Sequence, residues 1–208
     1  MKRQEAINKL SNIQLKNLSF EERKIQLETF LSENWENDNE WMKLPTEIRE
    51  EFKGETLSEE PDSKSYDEPL LVWLRDRLNP VTNEYLAREL NILKIEGIPN
   101  KMESCPCCGM KTIEERGQFE ICKICWWEDD GQDNENANEV WGGPNYDVSL
   151  TQARHYYLKI GIYNPKQNDL KEIQESANKY PIGRKFEIEG KFIVETGTNW
   201  KGKITTNA

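Results

Sequence analysis

Two C-x2-C pairs separated by thirteen residues limit the possible folds of this chain more than any other feature. They read Cys105-Pro106-Cys107-Cys108-Gly109 and Cys122-Lys123-Ile124-Cys125. Each pair can turn two sulfurs toward one point, and four thiolates complete a tetrahedral zinc shell. Pro106 and Gly109 suit a tight knuckle. The stretch from Gly109 to Ile121 is long enough for a hairpin that brings the knuckles together, with its turn at Arg116-Gly117. The pattern predicts a zinc ribbon holding one structural ion through Cys105, Cys108, Cys122 and Cys125. Its second strand is expected from Gln118 to Ile121. Ile113, Phe119, Ile121, Trp126 and Trp127 are the apolar residues available to cover the cage.

Cys107 is left over. It reads as a small knuckle residue, as a reactive thiol beside the metal, or as part of a glutaredoxin-like C-P-x-C site. The last reading needs an apolar strand before the motif, and Glu103-Ser104 supply none. All five cysteines fall within 21 positions, which favours metal in a reducing cytoplasm over a disulfide framework. No apolar run approaches the ~20 residues that span a bilayer. No continuous apolar segment follows Met1-Lys2-Arg3, so neither a membrane span nor a signal peptide is expected.

The chain carries 38 acidic and 28 basic side chains, a formal net charge of −10. Such a surplus opposes binding to nucleic acid and suits a basic protein partner. The nearest approach to a basic cluster is Lys191, Lys201 and Lys203. Six acidic residues and no basic one lie between Glu128 and Glu139. That stretch reads as a solvated loop, a docking surface for a basic partner, or a calcium loop, although it does not match the EF-hand spacing. As a docking surface it would use Trp126 and Trp127 as anchors and Asp129, Asp130 and Asp133 for steering. The loop is expected to make no core. His155 is the only histidine and reads as a packing or surface residue. Cys107 with His155 is the only nucleophile–base pair on offer, and nothing in the spacing places them together.

The fold class expected is α+β: a helical half over 1–95, a linker over 96–104, a metal-bearing domain over 105–163, and a helix, hairpin and polar tail over 164–208. Ile7, Leu10, Ile13 and Leu18 recur at helical spacing. Ser19 with Glu22 is a capping-box pattern, opening a helix with Ile25, Leu27, Phe30, Leu31 and Trp35 inward. A short helix is expected from Thr46 to Phe52. Asp67 is expected to cap a helix carrying Pro69, Leu70, Leu71, Trp73, Leu74 and Leu78, stopped by Pro80. Tyr85, Leu86, Leu90 and Leu93 mark another. Ser149 with Gln152 is a second capping box, for a helix with Ala153, Tyr157 and Ile160 inward and a stop at Gly161. One more helix is expected from Asn168 or Asp169 through Ala177. Residues 185–189 and 191–195 alternate around Gly190 as a hairpin, and 196–208 reads as a loose tail.

Cys105-Pro106-Cys107-Cys108-Gly109, Glu115-Arg116-Gly117 and Phe119-Glu120-Ile121-Cys122 resemble the bacterial cysteine-rich CPCC family. So do the run from Cys125 to Gln132, Gly142-Gly143-Pro144-Asn145, and Ser149-Leu150 with Ala153-Arg154. Trp126 stands where that family usually has Phe, a change of packing volume and not of ligands. The resemblance implies a small bacterial zinc-binding domain and supplies no reaction. Two function classes remain. One is a cytoplasmic binding protein, acting on a basic partner as immunity proteins do or as an adaptor. The other is a thiol-redox or other enzyme using Cys107.

Overall fold

The computed structural model describes residues 1–31, 39–54 and 56–204. The chain divides into two compact units, Met1–Pro99 and Asn100–Ala208, and its class is α+β.

The first unit is helical: α1 (Arg3–Asn17), α2 (Phe20–Leu31), α3 (Thr46–Lys53), α4 (Asp67–Leu78) and α5 (Asn83–Glu89). α1 packs on α4 and α5 through Ala6, Ile7 and Leu10. Its buried Arg3 guanidinium donates to the carbonyls of Leu78 (3.2 Å), Asn79 (2.8 Å) and Val81 (2.6 Å). A cation there satisfies the orphan carbonyls that end α4. The core is aromatic. Phe30 meets Trp41, Phe52 and Trp73 at centroid distances of 5.5, 5.2 and 5.7 Å, and Leu27, Leu70 and Leu74 complete it.

The capping box at Ser19 forms, with its amide and hydroxyl both on the Glu22 carboxylate. Asp67 does not cap α4. A short 3-10 helix, Lys64–Tyr66, runs directly into it, and the Asp67 carboxylate instead pairs with Arg23 at 2.9 Å. Ile13, Ile25 and Leu93 are exposed, because the apolar seams of these helices are narrower than the periodic pattern suggests. Trp35 lies outside the described residues. Both ends of the stretch read as a linker over 96–104 are structured. Glu96 exchanges backbone hydrogen bonds with Met1 and Arg3, and Glu103–Ser104 is a strand.

In the second unit β1 (Glu103–Ser104) pairs antiparallel with β2 (Lys111–Ile113) around the first cysteine pair. α6 (Leu150–Ile160) starts from the Ser149–Gln152 capping box and stops at left-handed Gly161. β3 (Phe186–Glu189), β4 (Phe192–Glu195) and β5 (Lys201–Lys203) form an antiparallel sheet in that order. The expected hairpin is therefore a three-stranded sheet. The "tail" contributes β5, held where Trp200 Nε1 donates to the Asn134 carbonyl at 2.7 Å. The helix expected through Ala177 is instead a kinked 3-10 segment, Pro165–Ile173, followed by a 3-10 turn, Ala177–Lys179. Ile160 is exposed and Tyr157 half-buried.

Candidate metal centre

Both knuckles have the same backbone pattern. In the first, the Cys105 N–H donates to Met110 (2.8 Å) and the Gly109 N–H to Cys105 (2.9 Å). In the second, the Cys122 N–H donates to Trp127 (2.9 Å) and the Trp126 N–H to Cys122 (2.9 Å). Gly109 and Trp126 are thus equivalent, and both are left-handed, with φ of 80° and 67°. Glycine takes that conformation freely, whereas a side chain there is strained. Trp126 therefore carries a backbone strain that Gly109 does not. At Gly109 a Cβ would also lie 2.0 Å from the Arg184 carbonyl oxygen.

The sulfurs of Cys105, Cys108, Cys122 and Cys125 all lie within 4.8 Å of one another and are buried. Cys105 Sγ is 3.5 Å from Cys125 Sγ, and Cys108 Sγ is 3.6 Å from Cys122 Sγ. A tetrahedron with metal–sulfur bonds of about 2.3 Å has sulfur–sulfur edges of about 3.8 Å, so the set fits one ion. Burial pushes the thiols of Cys105, Cys108 and Cys125 up. Burial acts the same way on Cys122, but hydrogen bonds from the other three sulfurs and Thr112 hold it well below its usual value. Thr112 Oγ1 sits 3.1 Å from Cys122 Sγ, and the Ile124 N–H donates to the same sulfur at 3.5 Å. Four thiolates would need a cation to share one buried site, and these four cysteines could hold a metal ion that supplies it.

Each knuckle is also clamped from later in the chain. Gly183 and Arg184 donate backbone N–H groups to Gly109 at 2.9 and 3.1 Å, and Lys111 donates to Pro181 at 2.9 Å. Tyr163 donates to the Cys125 carbonyl and Glu175 to that of Lys123, both at 3.0 Å. The Gln174 side-chain amide reaches the Ile124 carbonyl. The strand expected from Gln118 to Ile121 is reduced to a bridge between Ile121 and Glu128. The hairpins wrap the individual knuckles rather than linking them. Ile113 and Trp127 are buried in the unit, but Phe119 and Ile121 face solvent.

The acidic stretch is not the core-free loop expected. Asp129 is 0% exposed and accepts from Arg116 Nε (2.7 Å) and the Gly117 N–H (2.9 Å). Asp133 pairs with Arg116 at 2.9 Å and Arg184 at 2.8 Å. Burial pushes the Asp133 carboxyl up, but Arg184 and Arg116 outweigh it and bring it down to about 2. Arg184 also pairs with buried Glu195 at 2.7 Å. Asn134 joins Glu195 (2.6 Å) to Arg154 (2.8 Å). Arg154 is fully buried; its guanidinium lies 4.1 Å from the Phe186 ring centroid and 4.4 Å from that of Trp200. Its Nε donates to the Pro106 carbonyl in the first knuckle at 2.8 Å. Burial lowers its pKa to about 10.

Trp127 and Asp129 are therefore unavailable to a partner, and Asp133 is already neutralised. The calcium reading falls for the same reason, since guanidinium groups occupy those carboxylates. Trp126 and Asp130 are half-buried. Cys107 is fully buried and lies outside the four-sulfur group. His155 is half-buried, and burial followed by the Lys159 charge lowers its pKa. Sequence reasoning missed Arg116, Arg154, Arg184, Glu195 and Trp200. The one visible signal was an arginine, Arg154, on the inward side of α6.

Residues 103–179 match the family model described as Cysteine-rich CPCC. No curated protein and no solved structure matches the chain. No helix among the described residues is long and apolar enough to cross a membrane.

Proposed function

We propose that the chain is a cytoplasmic zinc protein whose metal is structural and whose work is to bind another protein. The observation that carries this reading is the closed, buried four-sulfur shell. Four thiolates favour zinc, and a filled tetrahedral shell leaves no position for a water or a substrate. The remaining capacity is surface chemistry. The first unit has 14 basic and 21 acidic residues, the second 14 and 17, for net charges of −7 and −3. Zinc with four thiolates adds −2 to the second. Both surfaces favour a basic partner and repel nucleic-acid phosphates. Neutralising or escorting such a partner, as an immunity or adaptor protein does, fits this balance.

The redox alternative would need a reachable thiol, and the burial of Cys107 disfavours it. Metal analysis and thiol titration of the purified holo protein test the reading together. It predicts about one zinc per chain and no fast-reacting thiol. Iron in the site, or one rapidly alkylated cysteine in the zinc-loaded protein, would overturn it.

A further inference from the structure

We propose that Phe119, Ile121, Tyr146, Glu128 and Asp130 form a docking face for a basic, arginine-bearing segment of a partner protein. The inference rests on the protein-binding reading and deepens it by naming the face and the partner's chemistry.

The face is built by the hairpin around the second knuckle. The Phe119 N–H donates to Asp129 at 3.0 Å, the Asp129 N–H donates to Glu120 at 2.9 Å, and Ile121 bridges Glu128. Ile121 stands opposite Glu128 across the bridge, the left-handed turn at Phe119 (φ 61°) leaves that ring in solvent, and Asp129 is buried between half-buried Glu128 and Asp130. Buried Asn145 binds the same edge. It accepts from the Glu128 N–H (3.2 Å) and donates to the Glu128 carbonyl (2.8 Å) and Asp130 Oδ2 (3.2 Å). Tyr146 is thereby fixed next to the strip. Phe119, Ile121 and Tyr146 are 57%, 48% and 56% exposed. Three large exposed apolar side chains on this hairpin and on the turn bound to it mark an interaction surface.

Charge selects the occupant. Asp129 and Asp133 are neutralised by Arg116 and Arg184. Glu128 bonds Asn145 and Asp130 through its backbone, and among the described residues its carboxylate has no hydrogen-bond or ion-pair partner. Asp130 accepts only from the Gln132 N–H and Asn145. Burial and the Asp130 charge raise the Glu128 pKa, and a cation would offset the Asp130 charge. A guanidinium suits this arrangement, since it stacks on an aromatic face while it donates to a carboxylate.

The test uses the zinc-loaded full chain and two capped peptides, alternating Arg-Gly and alternating Glu-Gly, followed by NMR. The arginine peptide should bind and shift the signals of Phe119, Ile121, Glu128 and Tyr146, and the glutamate peptide should not. Glu128→Gln with Asp130→Asn should weaken binding at least about tenfold, about the loss of one desolvated charge pair. Glu172→Gln with Glu189→Gln removes equal charge from exposed positions of the same unit and should change binding less than about twofold. Tyr146 has φ 57° and ψ −128°, a conformation glycine adopts freely. Tyr146→Gly should therefore remove the ring without lowering the melting temperature, yet weaken binding about fivefold or more, the loss of one cation–π contact. Equal loss in the control pair, shifts spread over other surfaces, or unchanged binding in both face variants would overturn the proposal. So would self-association abolished by Lys201→Glu with Lys203→Glu, which would assign the face to a second copy. A native partner crosslinked only elsewhere sinks this face and spares the protein-binding reading. Absence of any crosslinked partner sinks both.

Discussion

The two units reach a fixed structure by opposite means. Met1–Pro99 buries rings: Phe30, Trp41, Phe52, Tyr66 and Trp73 meet in one cluster, with leucines around them. Asn100–Ala208 adds to its apolar residues a larger buried polar set: the four clustered cysteines, Arg154, Asp129, Gln132, Asn145, Asn164 and Glu195. An apolar core is non-directional, so its stability is divided among many contacts and each loss is partial. A metal shell and a buried ion network are directional, and one missing member leaves the others uncompensated. The first unit should therefore weaken by degrees, whereas the second should fail at single residues.

The largest contrast is expected from a ligand. Structural zinc would contribute about 10–16 kcal/mol, as much as the roughly 5–15 kcal/mol that stabilises an ordinary domain. Cys122→Ser should abolish metal binding and leave the second unit without dispersed NMR signals, while Cys107→Ser keeps both. Metal retained in Cys122→Ser would break the comparison at its base. Replacing Asp129, Asp130 and Asp133 together by lysine should also unfold the second unit, because Asp129 and Asp133 neutralise the arginines inside it. In the first unit Phe30→Ala should cost about 3–5 kcal/mol in denaturant unfolding, with metal content unchanged. Asp129→Asn leaves Arg116 half-buried and short of a counter-charge, and should cost the second unit about 3 kcal/mol. The smallest effects come from the two capping boxes. Ser19→Ala, at an exposed cap, should cost about 0.5–1 kcal/mol, and Ser149→Ala, at a buried one, about 2 kcal/mol. Equal costs would show that burial does not sharpen the cap.

Local chemistry was readable from the sequence, and distant chemistry was not. Each C-x2-C pair, both capping boxes and the Gly161 stop depend on residues a few positions apart, and all appear at the expected places; the two pairs meet across 14 and 20 positions because the repeated motif announces them. Trp73 is in the core, as its position in an apolar run indicated. The network of Arg116, Asp133, Arg184 and Glu195 joins residues 17, 51 and 11 positions apart. No repeated motif announces those partners, so the acidic run reads as a solvated loop. The same limit hid β5. Lys201–Lys203 becomes a strand because β4 offers an edge and Trp200 finds the Asn134 carbonyl, not because its residues favour extended structure. At the candidate docking face, Phe119 and Ile121 read as cover for the cage. Only the fold, with a left-handed turn at Phe119, reveals that both face solvent.

Hydrogen exchange of the full chain, measured before and after chelation, tests the central contrast most directly. The account predicts that the amides of Cys105, Gly109, Cys122, Trp126, Tyr163 and Arg184 lose protection once the metal is removed. The amides within α1 and α4 should keep theirs. Persistent protection around both knuckles in the metal-free protein, or loss of protection in α1 and α4 together with them, would contradict it.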